Sequence, residues 1–480
     1  MKIKIFALIL LVPISVMLMG QNEVDALRYS QLTPNGTARF VSMGGAFGAL
    51  GGDISVMSTN PAGIGVFRKS AFDISMGWSN SKVSSTFNES SSTVNDIGYQ
   101  LTSIGYVVAN SELTNSDWKY LNFGFSYNKL ADFNFQTLIS SENKTSSILD
   151  MVANNFTNGT ASSIDDVYMN AYTIIEGENG EFYNDYNFPI SNYGADQTHS
   201  LNSSGYMGEY DFSIAANYQN RFYLGATLGI QVIRFEQTLN HKEDPTNSTN
   251  NLKYLEVDEY LKTKGNGLNL KLGAIYKVNQ MVRLGLTLHT PTVFNMRDDY
   301  YTNVNSEVID IDNDINDIFY EESDKLYYNW KYASPLRVSG SGAFVLGKMG
   351  LISAEIEYVD YSNMNISGTD GESFSDVNSI IKELYTGNFN YKIGAEVKFG
   401  ILSLRAGAVY QNSAFVTSQP NSDASKFIYS GGLGVNSGNM YFDMAYQSSI
   451  QNEKYYMYGM EEVDLDKKND RFIFTLGFRF

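Results

Sequence analysis

Beyond Arg68 the chain is a long succession of amphipathic segments in which apolar and polar side chains alternate, and the segments arrive in pairs. Alternation of period two places successive side chains on opposite faces of a β-strand. No stretch after the first twenty residues approaches the ~18 uninterrupted apolar residues of a membrane-spanning helix. A chain that crosses a bilayer without such helices must do so as a closed barrel, because every backbone N–H and C=O in hydrocarbon needs a partner. Strands are predicted near 71–87, 96–109, 118–137, 205–219, 221–236, 264–278, 281–296, 332–347, 350–362, 387–399, 401–412, 425–436, 439–450 and 470–480, fourteen in all. An even number closes an antiparallel barrel with both termini on one side. Composition agrees, with 14% aromatics, 34 Tyr and 29 Phe.

The connections are asymmetric, as in bacterial outer-membrane barrels. Tight ones, such as Gln219-Asn220-Arg221, Asn279-Gln280 and Phe399-Gly400-Ile401, fall on the side of the termini, which in such barrels is periplasmic. Long acidic ones, about 138–204, 237–263, 297–331, 363–386, 413–424 and 451–469, fall on the other. Thr145 to Asn155 reads as one or two turns of helix within the first of these.

Strand parity separates lipid-facing from lumen-facing residues. Phe472, Phe474, Leu476, Phe478 and Phe480 share one face of the last strand, opposite Arg471, Thr475, Gly477 and Arg479. Leu284, Leu286 and Leu288 oppose Arg283, Thr287 and His289; Ile393, Ala395 and Val397 oppose Lys392, Glu396 and Lys398. A cation near the bilayer midplane on the lipid face costs about 2–4 kcal/mol. Lys271, Arg283, His289, Arg337, Glu355, Glu357, Lys392, Glu396, Lys398 and Arg405 are therefore assigned to the lumen.

Catalytic readings find little support. Glu355 and Glu357 form a carboxylate pair, but ionic bracing by Arg337, Lys392 and Arg405 accounts for them, since buried charges are expected to be paired. His199, His241 and His289 are predicted in two loops and one strand, without metal-ligand spacing. Asp310, Asp312, Asp314 and Glu321 match positions 1, 3, 5 and 12 of a calcium loop, yet Ile315 stands where the turn needs glycine; a looser divalent-cation site in the acidic loop is the alternative to a solvated one. There is no GxSxG, no HExxH and no cysteine, so neither an enzyme nor a cofactor is expected.

The amino-terminal part follows other rules. Lys2 and Lys4 precede an apolar run ending at Gly20, the pattern of a Sec signal peptide over residues 1–20. The formal charge of −18 becomes −20 when those two lysines leave, which disfavours nucleic acid as a partner. From Gly36 to Arg68 strand alternation fails and small residues dominate, which suits a compact irregular segment held inside something larger. Asn60-Pro61 redirects the chain in a turn before the first strand.

This segment resembles the amino-terminal hatch of the FadL family of outer-membrane transporters of hydrophobic compounds. Gly36, Arg39, Gly44-Gly45-Ala46, Asp53 and Asn60-Pro61-Ala62 carry the likeness at the spacing the family shows before its first barrel strand. Asp25–Gln31 (DALRYSQ) and Gly44–Asp53 (GGAFGALGGD) are more similar to the branch of this family often labelled haem or hydrocarbon receptors than to the fatty-acid prototype. The resemblance implies an all-β fold, a fourteen-stranded antiparallel transmembrane β-barrel over 71–480 with a hatch over 21–70 inside its lumen. It implies passive uptake of a long-chain fatty acid or a similar hydrophobic molecule, with hatch gating by the residues just named and lateral exit beside the third strand, near Leu130, Phe133 and Phe135. The expected setting is the bacterial outer membrane, as a monomer among bilayer lipid and lipopolysaccharide, with Phe480 read by the outer-membrane assembly machinery. Alternatives are a surface receptor for haem or another ligand, an adhesin, or a general porin.

Overall fold

The computed structural model describes residues 21–110, 116–177, 180–184, 194–246, 250–310, 315–369, 371–459 and 461–480. The signal-peptide assignment, Asp312 and Asp314 lie outside the described residues. Nineteen strand segments form one antiparallel sheet. Segments separated by short breaks belong to one crossing, which gives a closed barrel of fourteen strands. The strands are β1 (Ala71–Phe87), β2 (Ser90–Ala109), β3 (Trp118–Asp132 and Phe135–Lys144), β4 (Ala195–Tyr218), β5 (Phe222–Pro245), β6 (Leu252–Lys277) and β7 (Val282–His289 and Val293–Asp310). Then come β8 (Ile315–Glu322, Leu326–Ala333 and Arg337–Val345), β9 (Gly350–Asp360 and Asn365–Gly368), β10 (Gly387–Phe399), β11 (Leu402–Gln411), β12 (Lys426–Ser437), β13 (Met440–Met457) and β14 (Glu461–Arg479). Each pairs with its sequence neighbour, and β14 closes on β1 from Ala71↔Arg479 to Thr86↔Asp464.

Several predicted boundaries are corrected. β4, β5, β6, β7, β8 and β14 run far beyond the predicted segments, so much of 195–204, 237–263, 297–331 and 461–469 is strand rather than loop. Within the first long connection a helix spans Ile148–Thr157, capped by Ser147 in a reciprocal capping box with Asp150.

The breaks have local causes. Pro291 interrupts β7 and Pro335 interrupts β8 at neighbouring positions, where proline has no N–H for the ladder; the strands are rejoined there by Ser334 N–H donating to Thr292 C=O at 3.0 Å. In β3 the ladder to β2 covers only Ser103↔Asn128 to Ala109↔Asn122, although β2 continues to Ser90. Asn134 fixes the break: its N–H donates to Asp132 Oδ1 at 3.1 Å and its Oδ1 accepts from Gly205 N–H at 3.1 Å. Above it β3 lies against the inner side of β1, where Ser85 Oγ donates to Leu138 C=O.

Burial alternates along β7. Leu286 is 60% exposed on the outer wall, whereas Thr287 is 3% exposed. Leu286→Arg is expected to cost about 2–4 kcal/mol of membrane-folded stability and Thr287→Ser well under that. The check is the fraction of heat-modifiable, folded protein after refolding into bilayers of matched thickness; equal losses in both variants would contradict the assignment.

Candidate functional site: the amino-terminal segment and the lumen that holds it

Residues 23–67 lie within the ring of strands as four short helical pieces: α1 (Glu23–Arg28), α2 (Ala38–Ser42) and 3₁₀ turns at Ile54–Ser58 and Pro61–Val66. Each begins on a side chain that accepts a first-turn N–H: Asn22, Thr37, Asp53 and Asn60. Pro61 opens the last turn, where its missing N–H costs nothing. Gly36, Gly44 and Gly45 all have positive φ, at 143°, 62° and 71°. Thr37 Oγ1 donates to both Asp53 oxygens at 2.9 Å, which ties α2 to the following turn.

The lumen grips this segment largely through its backbone. Arg283 Nη1 donates to Leu50 C=O at 2.9 Å, His289 Nε2 to Thr59 C=O at 2.6 Å, and Arg337 to Ser30 C=O. Glu355 accepts from Gly48 N–H at 3.0 Å. Lys392 bridges Glu355 at 2.8 Å and Glu357 at 3.4 Å, while Arg337 holds Glu357 at 2.8 Å. Asn60 Nδ2 donates to Gly48 C=O at 2.6 Å within the segment and to Ala274 C=O of β6 at 3.3 Å. Ala62, which follows Pro61, is fully buried.

Arg39 is the one charged side chain of α2, and Glu396 receives it. Arg39 Nε donates at 3.0 Å and Arg405 Nε at 2.7 Å to the same carboxylate, and Arg405 continues to Asp443 at 2.5 Å. Arg405 thus belongs to this cluster and not to Glu355 and Glu357, a correction to the bracing inferred from sequence. Lys398 stands at the rim of the same cluster, 3.4 Å from Glu396 and half exposed. A cavity of about 110 Å³ opens among Arg39, Asp53, Glu396, Lys398, Arg405 and Asp443.

Two histidines are also relocated. The extended β4 and β5 put His199 opposite His241, with Nδ1 atoms 3.2 Å apart, His199 Nε2 3.0 Å from Tyr455 Oη and His241 Nε2 2.8 Å from Glu243. Among the described residues no group of three or more His, Cys, Asp or Glu is arranged to hold a metal ion.

Sequence reasoning missed three parts of the site. Lys271 is neutralised by Glu209 and by Asp211, the latter at 3.1 Å, both on β4. Asn122 of β3 donates to the carbonyls of Ile64 and Phe67 at 2.8 and 3.0 Å. Inward-facing glycines of the wall clear space for the segment's backbone: a Cβ on Gly407 would sit 2.3 Å from Gly44 N, and one on Gly273 1.9 Å from Asn60 Oδ1. Glycine on the lumen parity of successive strands was the available signal. Gly407→Leu is therefore expected to unseat α2 while the barrel still closes. Raised single-channel conductance with unchanged heat-modifiability is the readout, and wild-type conductance would contradict it.

Around α1 the lumen is aromatic. Tyr29 meets Phe133 and Phe235 edge-on at 5.8 and 6.2 Å, and Phe294 stacks on Tyr332 at 5.8 Å. Met296, Trp330, Tyr361 and Tyr385 complete a buried cluster around Ala26. α1 occupies this chamber: Tyr332 Oη donates to Ala26 C=O at 2.8 Å, Tyr385 Oη to Glu23 C=O at 3.1 Å, and the Arg28 guanidinium lies 4.4 Å over Phe235. The cavity left beneath, lined by Tyr29, Leu32, Leu130, Lys271, His289 and Arg337, is about 30 Å³, enough for a water and too small for a hydrocarbon.

A scan against protein-family models finds no match, and neither does a search of curated proteins. Solved structures do match. A FadL homologue of Pseudomonas aeruginosa aligns over 94% of this chain and 99% of its own, at 12% identity and a TM-score of 0.57. The toluene transporter TodX of Pseudomonas putida aligns over 93% and 99%, at 13% identity and a TM-score of 0.52. The chain therefore has the fold of the FadL and TodX transporters, the fold expected from the resemblance of its amino-terminal segment.

Proposed function

We propose that this chain is an outer-membrane channel for passive uptake of small hydrophobic molecules, such as a long-chain fatty acid or a hydrocarbon, with residues 21–70 as its hatch. The observation that carries the reading is the aromatic chamber filled by the chain's own α1 directly inside the break in β3. Burial of apolar ligand surface there is worth about 25 cal/mol per Å², and a ligand of that character competes with α1 for the same rings. Leu130 and Phe133 line the chamber on the β3 side, where the short β2–β3 ladder leaves the wall unpaired above Ser103 and Asn128. A ligand that displaces α1 has a sideways route to the lipid through that gap, while the Arg39–Glu396 anchor keeps the lower lumen shut. The fold it shares with a toluene transporter is in keeping with a hydrophobic ligand.

Uptake of a fluorescent fatty acid and of an aromatic hydrocarbon by liposomes containing the purified chain tests this. Accumulation above protein-free liposomes, with little steady ionic current in planar bilayers, is expected. Binding without accumulation would instead favour a surface receptor, and a large steady current a general porin.

A further inference from the structure

The outer face of β5, β6, β7 and β8 carries a charge pattern that uptake does not use. Arg234 of β5 lies opposite Lys264 of β6, and Lys264 lies opposite Arg297 of β7, so three cations stand side by side across three adjacent strands. Their chain neighbours Ile233, Phe235, Thr263, Met296 and Asp298 are buried inside, so the three point outward, and Arg297 is 56% exposed. At strand spacing the row spans about 10 Å. Like charges directly opposite are destabilising. Among the described residues Arg297 has a carboxylate partner, Asp299 at 3.1 Å, while Arg234 and Lys264 have no ion pair.

The height of the row is fixed by what lies below it in the same register. Ile230, Leu268 and Val293 form an exposed apolar row four residues down each strand. Between the two rows comes one of Val232, Asn266, Asn295 and Lys331. Four residues of a tilted strand rise about 10 Å along the membrane normal, and long basic side chains reach back toward the interface. Tyr206 sits beside Arg234 in the same row, as aromatic residues do at the headgroup level. The cations thus stand at the polar edge of the long-loop leaflet, on a chain whose formal charge is −18.

We infer that Arg234, Lys264 and Arg297, with Lys331 one row below, form a binding site for the phosphate group of an outer-leaflet glycolipid. Phosphate oxygens supply the charge-assisted acceptors that a fork of guanidinium groups and an ammonium recognise, and the apolar row beneath accommodates the acyl chains. The inference rests on the outer-membrane reading above.

Native mass spectrometry of the full mature chain in mild detergent, titrated with bisphosphorylated lipid A, tests it. At about 1 kcal/mol per basic residue near a membrane surface, R234Q/K264Q/R297Q should weaken retention by roughly a hundredfold. K382Q, an exposed cation on the helix Ser375–Leu384 between β9 and β10, should leave it unchanged. Lipid A stripped of phosphate should bind the wild type as weakly as bisphosphorylated lipid A binds the triple variant. Heat-modifiability checks that all variants are folded. Equal retention by wild type and triple variant, or indifference to lipid phosphate, would overturn the site. Complete displacement by millimolar inorganic phosphate would overturn the lipid as its occupant. If lipid A is retained through phosphate but the chain proves not to conduct hydrophobic ligand, the site stands and the channel reading falls.

Discussion

Deletion of residues 21–67 is expected to leave a barrel that assembles but conducts. The fourteen strands pair through their own backbone, and β1 starts at Ala71 with its ladders to β2 and β14 already in place. The segment contributes packing against Ala71, Val107, Ala343, Ala445 and Ile473 on the inner wall, so stability should fall. The buried charges it leaves behind largely keep partners: Lys392 remains between Glu355 and Glu357, and Arg405 between Glu396 and Asp443. Steady conductance in planar bilayers should rise from near nothing to that of an open pore, with the folded band retained on unheated gels. Loss of the folded band would mean that the segment is part of the barrel's structural core and not a plug.

Removing the charge of Glu396, where α2 is anchored to the wall, should have the next largest effect. Glu396 is buried and accepts from both Arg39 and Arg405. Glu396→Gln leaves two guanidinium groups facing a neutral amide, and breaking a buried pair in this way costs about 3–5 kcal/mol. Arg405 still has Asp443, so the loss falls mainly on Arg39 and on the seating of α2. The expected result is a lower temperature of heat-modification together with frequent openings in single-channel records. Arg39→Met in the same background should recover part of the thermal loss by removing the orphaned charge, but not the closed state. Wild-type behaviour of Glu396→Gln in both measurements would show that the ion cluster does not hold α2 in place.

How far the sequence disclosed these features depends on which side of the membrane boundary a residue lies. Within the bilayer the outer face must be apolar, and there the alternation is plain: β1 and β10 have the predicted bounds. Above the bilayer the polarity reverses. In β6, Leu255, Val257 and Leu261 are buried in the lumen while Glu256, Asp258 and Lys262 face water. Period two persists, but its apolar face has changed sides, so these residues read as a loop and the predicted strand begins only at 264. The same reversal hid the opposition of His199 and His241. Charges on the non-lipid parity of a strand can be listed from sequence because the lipid face does not tolerate them. The partners of these charges are not in the sequence, because pairing depends on register across strands and on backbone carbonyls of the amino-terminal segment. The glycines opposite the amino-terminal segment look like ordinary strand glycines until the backbone they accommodate is in place.

If the amino-terminal segment yields its aromatic chamber to a hydrophobic ligand, tethering α1 must block uptake. The chain has no cysteine, so Glu23→Cys and Tyr385→Cys, at positions joined by a 3.1 Å hydrogen bond, can be bridged by a short cleavable cross-linker without side reactions. Uptake of a hydrophobic fluorophore into liposomes should cease when the bridge is closed and return when it is cleaved, with the same protein in the same vesicles. Uptake that is indifferent to the bridge would contradict the account.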